Sequence, residues 1–456
     1  MLFDLNRYSF PVFAKETRKL AVLALPILLA QVAQVGIGFT DTVMAGGAGK
    51  GDLAAVALGS GAFATVYITF IGIMTALNPL VSQLHGRGNA EDVGETGRQG
   101  LWFGLALGVA GMLLMFALIV PFQSWLDLDA GVERMMAQYL AFTALAMPAA
   151  MIHRALHAYA SSLNRARPIM LVSFAAFLLN IPFNYAFVYG KFGLPALGGA
   201  GCGLATALVF WFSAAALWLY VAKEPYFRRF ALTARFSKPD PAALSQMWKL
   251  GAPIGLSYFL EASLFTCIVF LVARLGGADA ENNVAAQQVV ISLTSIIYMI
   301  PQSVGSAATV RVGFSLGRRE YARARYISGV SLVLGLALAV MTALLLVALR
   351  YPLVGMYTDD AAVTAIAAAV LLFTAVFQLS DCTQCIASYA LRGYKTTKAP
   401  MIIHAVAFWG LGLLPGYVLA DGFGMGIYGF WTALVLSLTA AAAALVWCLE
   451  VRSKEF

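Results

Sequence analysis

Apolar residues along this chain fall into twelve long blocks separated by short polar stretches. The blocks lie near 17–45, 52–80, 97–121, 134–157, 168–189, 200–222, 244–274, 284–310, 326–349, 362–391, 399–419 and 427–449. Residues 101–120 and 326–349 carry no charge at all. Each of these runs exceeds the roughly 18 apolar residues that a helix needs to cross a hydrocarbon core. Strands of a membrane barrel would alternate apolar and polar residues over about 10 positions, and no such alternation appears. The pattern predicts an all-α integral membrane protein with twelve transmembrane helices.

Composition agrees: 61% of residues are hydrophobic and 11% charged, where a soluble domain carries about 25% charged residues. The net charge of +8 follows from topology. With the N-terminus inside, the outer loops hold only Lys50, Arg134, Lys191, Arg274 and Arg350 of the 30 Lys and Arg. That asymmetry satisfies the positive-inside rule and places both termini in the cytoplasm. Nucleic-acid binding, the other reading of a basic chain, has no aromatic-basic patch to support it. The N-terminal stretch has acids at Asp4 and Glu16 and no short apolar core before a small-residue cleavage site. It reads as an interfacial segment before the first span, not a removable signal.

The chain repeats itself. "LAAVAL" at Ala54 and Ala55 returns as "VAAQQV" at Ala285 and Ala286, and Gly86 meets Gly317 at the same offset of 231 residues. "LALPILLAQVAQ" answers "KLGAPIGLSYFLEA", and Pro168 in "ARPIML" answers Pro400 in "KAPMII". Six spans per half is an even number, so the halves enter the membrane from one side as parallel repeats. The expected organisation is an N-terminal six-helix lobe over 1–235, with a basic cytoplasmic linker from about 222, and a C-terminal lobe over 236–456.

Acids inside the spans are the candidate chemistry. Glu261 sits mid-span where a charge costs on the order of 2.5–3.5 kcal/mol, so such residues face a cavity or partner and mark ion or substrate paths. Aligning Pro26 with Pro253 places Glu261 opposite Gln34, so the carboxylate belongs to one half only. Asp381 and Asp41 are the other acids away from helix ends, and no Lys or Arg occupies the middle of any span drawn above. The acids must then be balanced by a bound cation, by protonation or by a cationic substrate. A buried carboxylate can carry a proton, and two carboxylates with other oxygens can hold a hard cation such as Na⁺. Both chemistries use the same residues.

Phe265, one helical turn beyond Glu261, could stack on a planar cation. Cys202, Cys267, Cys382, Cys385 and Cys448 all fall in apolar spans, and the C-x-x-C of "DCTQC" lacks the context of a redox or zinc motif. They read as small core residues. His153 and His157 lie four apart without a nearby Cys or acid, so no metal site is read there.

"LALPILLAQVAQVGIGFTDTVMAG", "GLSYFLEA", "YMIPQSVGSAATVRVG" and "CIASYALRGYKTTKAP" resemble the multidrug and toxic compound extrusion (MATE) family, in its NorM-like branch, over essentially the whole chain. The resemblance implies a MATE-like fold of two pseudo-symmetric six-helix lobes. It implies a bacterial inner-membrane antiporter that exports cationic, often aromatic drugs and dyes, coupled to Na⁺, H⁺ or both. The family's cation-site positions would correspond to Glu261 and Asp381 with Tyr298 beside them. Its substrate contacts would correspond to Asp41, Phe265 and Gln288, with Asp359 and Asp360 on an outer loop. Gly61 stands where relatives have a serine after "LGS".

The expected partners are small cationic substrates and membrane lipid, with no nucleic acid, no cofactor beyond the coupling ion, and a monomeric chain. Two other classes compete. A flippase for a lipid-linked precursor would need cationic residues in its cleft, and an integral-membrane enzyme would need a nucleophile-base pair or a metal site beside His85, His153, His157 or His404.

Overall fold

The computed structural model describes residues 10–126, 129–275 and 279–455. Within them twelve helices are long and apolar enough to cross a membrane. Each apolar block becomes a helix that continues past the ends of the block. Residues 326–349 sit inside Tyr321–Gly355, and 284–310 inside Ala280–Gly317. A backbone helix saturates its own hydrogen bonds wherever it runs, so polar residues beyond the bilayer edge need not end it. The helix is already formed at Phe10, so only residues 1–9 of the expected interfacial segment lie outside the described residues.

In chain order the helices are α1 (Phe10–Ala48), α2 (Lys50–Met74), α3 (Leu77–Arg87), α4 (Ala90–Leu126), α5 (Ala130–Ser162), α6 (Arg167–Tyr189), α7 (Ala200–Lys223) and the single turn α8 (Pro225–Arg228). Then follow α9 (Pro241–Leu275), α10 (Ala280–Gly317), α11 (Tyr321–Gly355), α12 (Ala361–Gly393), α13 (Lys398–Ala405), α14 (Leu414–Tyr417) and α15 (Ile427–Lys454). Wide π-helical turns over Val406–Leu413 and Val418–Gly422 join α13, α14 and the following loop into one span.

The chain forms two compact units, 25–255 and 256–456, the latter together with the start of α1 up to Ala24. The division therefore falls within α9, at Gly255, and not in the linker. Buried Glu16 explains the placement of the start of α1. Its carboxylate accepts from Arg311, from Arg323 at 2.8 Å and from Lys19 at 3.1 Å, all within that unit.

In the first unit α5 is central and packs on α2, α4 and α7. Gly104 and Gly108 on α4 allow close approach. A Cβ at Gly108 would stand 2.5 Å from Pro148 Cα, and one at Gly104 would stand 2.9 Å from Met151 O. Small residues four apart are how membrane helices pack backbone to backbone. In the second unit α12 is central and packs on α10, α11 and α15. Its core includes fully buried Trp431, whose indole donates to Gln287 Oε1 at 2.8 Å.

The repeat read from sequence is present in the backbone. α5 and α12 begin and end at the same offset of 231, and each is followed by a left-handed residue, Asn164 (φ 60°) and Lys395 (φ 59°). Gly88 (φ 78°) and Arg319 (φ 61°) form a second such pair. Equivalent bonds close the turns: Asn164 N donates to Ser161 O at 2.9 Å, and Lys395 N to Arg392 O at 2.8 Å.

Candidate functional site

Three helices of the second unit bring the expected cation-site residues together: Glu261 from α9, Tyr298 from α10 and Asp381 from α12. Glu261 and Tyr298 line one cavity, and the Tyr298 hydroxyl hydrogen-bonds the Glu261 carboxyl. Asp381 is buried and accepts from Gln384 Nε2 at 3.1 Å. Gln384 Oε1 in turn meets His404 Nε2 at 2.9 Å, so the network runs from Asp381 through an amide to a histidine on α13. Gln384 and His404 are both in the cavity wall. Glu261 and Asp381 lie close enough for their charges to act on each other.

The same cavity holds a cation, which corrects one sequence expectation. Arg392 is buried and lines the wall, its Nη1 donating to Tyr258 Oη at 3.1 Å. Its guanidinium lies over the Tyr389 ring at 3.8 Å from the centroid, and the Tyr258 and Tyr389 hydroxyls are hydrogen-bonded to each other. The block drawn at 362–391 stopped one residue short, whereas α12 runs to Gly393 and carries Arg392 inward. The unit therefore sets one fixed positive charge against two carboxylates. It also removes the premise that cavities of this chain contain no basic residue. Arg392, Tyr258 and His404 were missed as site residues, although "CIASYALRGYKTTKAP" held the first of them in plain view.

Asp41, on α1 in the first unit, has a separate environment. It is buried, and its carboxylate accepts from Asn184 Nδ2 at 2.6 Å, Asn180 Nδ2 at 3.2 Å and Thr206 Oγ1 at 2.8 Å. Two asparagines four apart in the apolar "LLNIPFNYAF" were the available signal for this cluster. The first unit also contains the repeat counterpart of the Glu261–Tyr298 pair. Gln34 Nε2 donates to Tyr67 Oη at 2.9 Å, and Tyr67 precedes Tyr298 by the same 231 residues.

The remaining candidates lie elsewhere. Phe265 packs edge-on to Phe377, ring centroids 6.4 Å apart, at the border of the second unit's core. Gln288 is exposed on α10. Asp359 and Asp360 are exposed, and Asp360 caps α12 by accepting from Ala362 N at 2.8 Å and Val363 N at 3.0 Å. Cys382 donates to Gly335 O at 3.1 Å and Cys202 to Asp41 O at 3.4 Å, while Cys385 lines the cavity.

Twelve membrane-length helices with carboxylates held in a polar cavity at mid-span define a multi-pass membrane transporter. Comparison with known proteins makes this particular. The MatE family profile matches residues 26–186 and 253–418. A protein named "Probable multidrug resistance protein NorM" from Neisseria meningitidis serogroup B is 73% identical over 100% of this chain and 98% of its own. One of the same name from Chromobacterium violaceum is 48% identical over 100% and 98%. A solved structure of a protein described as "MATE transporter NorM-NG", in complex with a drug and a monobody, superposes with a TM-score of 0.81 at 66% identity, covering 95% of this chain and 93% of that one. The chain belongs to the MatE family, in its NorM-like branch.

Proposed function

We propose that this protein is a multidrug efflux antiporter of the bacterial inner membrane, exporting cationic, often aromatic compounds by alternating access in exchange for Na⁺ or H⁺. The observation that carries the coupling is the convergence of Glu261, Asp381 and Tyr298 on one cavity that has a single fixed positive charge, Arg392. The relatives named as multidrug resistance proteins, and the related structure solved with a bound drug, support the substrate class. In this reading a cation arriving from outside neutralises the carboxylates and weakens the hold on a cationic drug, which leaves outward. Return to the inward-open state releases the ion to the cytoplasm. Each charge moving inward down the membrane potential contributes about 2.3 kcal/mol per 100 mV.

Efflux of ethidium from proteoliposomes tests this, with a Na⁺ gradient and a pH gradient imposed separately. Transport on Na⁺ alone makes Glu261 and Asp381 ion ligands, and transport on the pH gradient alone makes them proton carriers. No ethidium movement under either gradient overturns the antiporter reading and returns the flippase.

A further inference from the structure

Most arginines at the helix ends are paired with acids, but one cluster is not. The turn after α5 and the linker segment around α8 bring together Arg165, Arg167, Arg228 and Arg229, all exposed. No carboxylate stands within 4.0 Å of any of them among the described residues. Two of the four are held in place. The guanidinium of Arg165 lies 4.3 Å and that of Arg229 4.0 Å from the centroid of one ring, Tyr226. Tyr226 is itself fixed: its hydroxyl donates to Leu163 O at 3.1 Å, and its ring meets Phe227 and Phe230, both buried, edge-on. The left-handed Asn164 turns the chain so that Arg165 faces this platform.

Two further features converge on the same place. α6 starts here, its N-cap Ala166 offers no side-chain acceptor, and the first turn's N–H groups add positive potential beside the guanidinia. From Arg167 the exposed face of α6 continues through Leu171, Phe174, Leu178 and Ile181, a stripe at helical spacing suited to acyl chains. Cations set at one end of an apolar, membrane-facing stripe match an amphiphile with an anionic head.

We infer that Arg165 and Arg229 on Tyr226, with the N-terminus of α6, form a binding site for the phosphate of an acidic phospholipid. It lies on the face that the distribution of basic residues assigns to the cytoplasm. The repeat provides an internal contrast. The counterpart of Arg165 in the second unit is Thr396, whose hydroxyl accepts from Arg452 Nε at 3.0 Å, so the chain's own side chain occupies the equivalent turn.

The test is native mass spectrometry of the purified full-length protein in micelles containing phosphatidylglycerol or phosphatidylcholine, with and without millimolar inorganic phosphate. Each cation near an anionic surface is worth about a five-fold change in affinity. Arg165→Gln with Arg229→Gln should therefore weaken phosphatidylglycerol retention by about 25-fold and leave phosphatidylcholine unchanged. The charge-keeping pair Arg165→Lys and Arg229→Lys should retain most of the binding, and Arg229→Gln alone gives a milder variant should the double one fail to fold. Undiminished phosphatidylglycerol retention in the Gln variants overturns the site. Complete displacement of the lipid by inorganic phosphate overturns the lipid as its ligand.

Discussion

Glu261→Gln is the perturbation whose consequences the cavity makes most specific. With both acids ionised, Glu261 and Asp381 contribute two negative charges, and Arg392, which is always protonated, contributes one positive charge. The cluster then carries a net charge of one, so a single monovalent cation or a single proton neutralises it. Glutamine keeps the side-chain shape and an oxygen for the Tyr298 hydroxyl, yet leaves Asp381 and Arg392 balanced with no ion present. Unit charges about 4 Å apart attract by about 4 kcal/mol at an effective dielectric of 20, and that attraction for the ion is lost. Against it stands the 2.5–3.5 kcal/mol on insertion scales that the buried charge no longer costs. The expected result is a variant at least as stable as wild type in Na⁺-free buffer and indifferent to Na⁺. Thermal unfolding of the purified chain, in NaCl against choline chloride at constant ionic strength, measures this. For Na⁺ coupling, wild type should gain about 2.7 kcal/mol at a hundred times its Kd. A Na⁺-dependent gain of wild-type size in Glu261→Gln would refute the assignment of Glu261 as the neutralised group.

Asp41→Ala should be severely destabilising, because it strands the buried amides of Asn180 and Asn184 and the Thr206 hydroxyl at about 1–3 kcal/mol each. Asp41→Asn keeps an acceptor and should lose less, and equal melting temperatures for the two variants would count against the cluster. Asp360→Ala should cost about 1 kcal/mol through loss of the α12 cap, with efflux per folded molecule unchanged. A ten-fold loss of efflux at normal stability would show that Asp360 does more than cap. Gly94→Ala places a Cβ 1.8 Å from the backbone carbonyl of Phe230, so the linker must move away from α4 at about 1–3 kcal/mol or more. Faster proteolysis within 231–240 reports that displacement, and an unchanged digestion pattern contradicts it.

The spans could be read from the chain because hydrophobicity over about 20 residues is a strong, local signal. The ends could not, since residues such as Arg311 and Arg392 are polar yet continue the helix, and hydropathy stops where the helix does not. That one error hid the cavity's fixed positive charge. Glu261 and Asp381 stood out because acids are conspicuous in apolar blocks. Asn180 and Asn184 did not, because neutral amides barely lower hydropathy and their value lies in reaching a carboxylate about 140 residues earlier. Likewise nothing local links Glu16 to Arg311 and Arg323. The grouping of residues up to Ala24 with the second unit depends on that long-range set of ion pairs.

The repeat shows how one scaffold came to hold two kinds of polar interior. Tyr67 and Tyr298 occupy equivalent places on equivalent helices, and each meets a side chain from the helix before it. In the first unit that side chain is the amide of Gln34, and in the second it is the carboxyl of Glu261. At the position of Cys385, which lines the second unit's cavity, the first unit has Arg154. An amide and a guanidinium leave no negative charge there for a small cation to neutralise, whereas a carboxylate and a thiol do. The first unit's own carboxylate, Asp41, is instead enclosed by two amides and a hydroxyl. α5 and α12 share their ends and the left-handed turns that follow them to the residue, so backbone geometry cannot account for the difference. A few side-chain changes on a duplicated frame are enough to give the two interiors opposite electrostatic character.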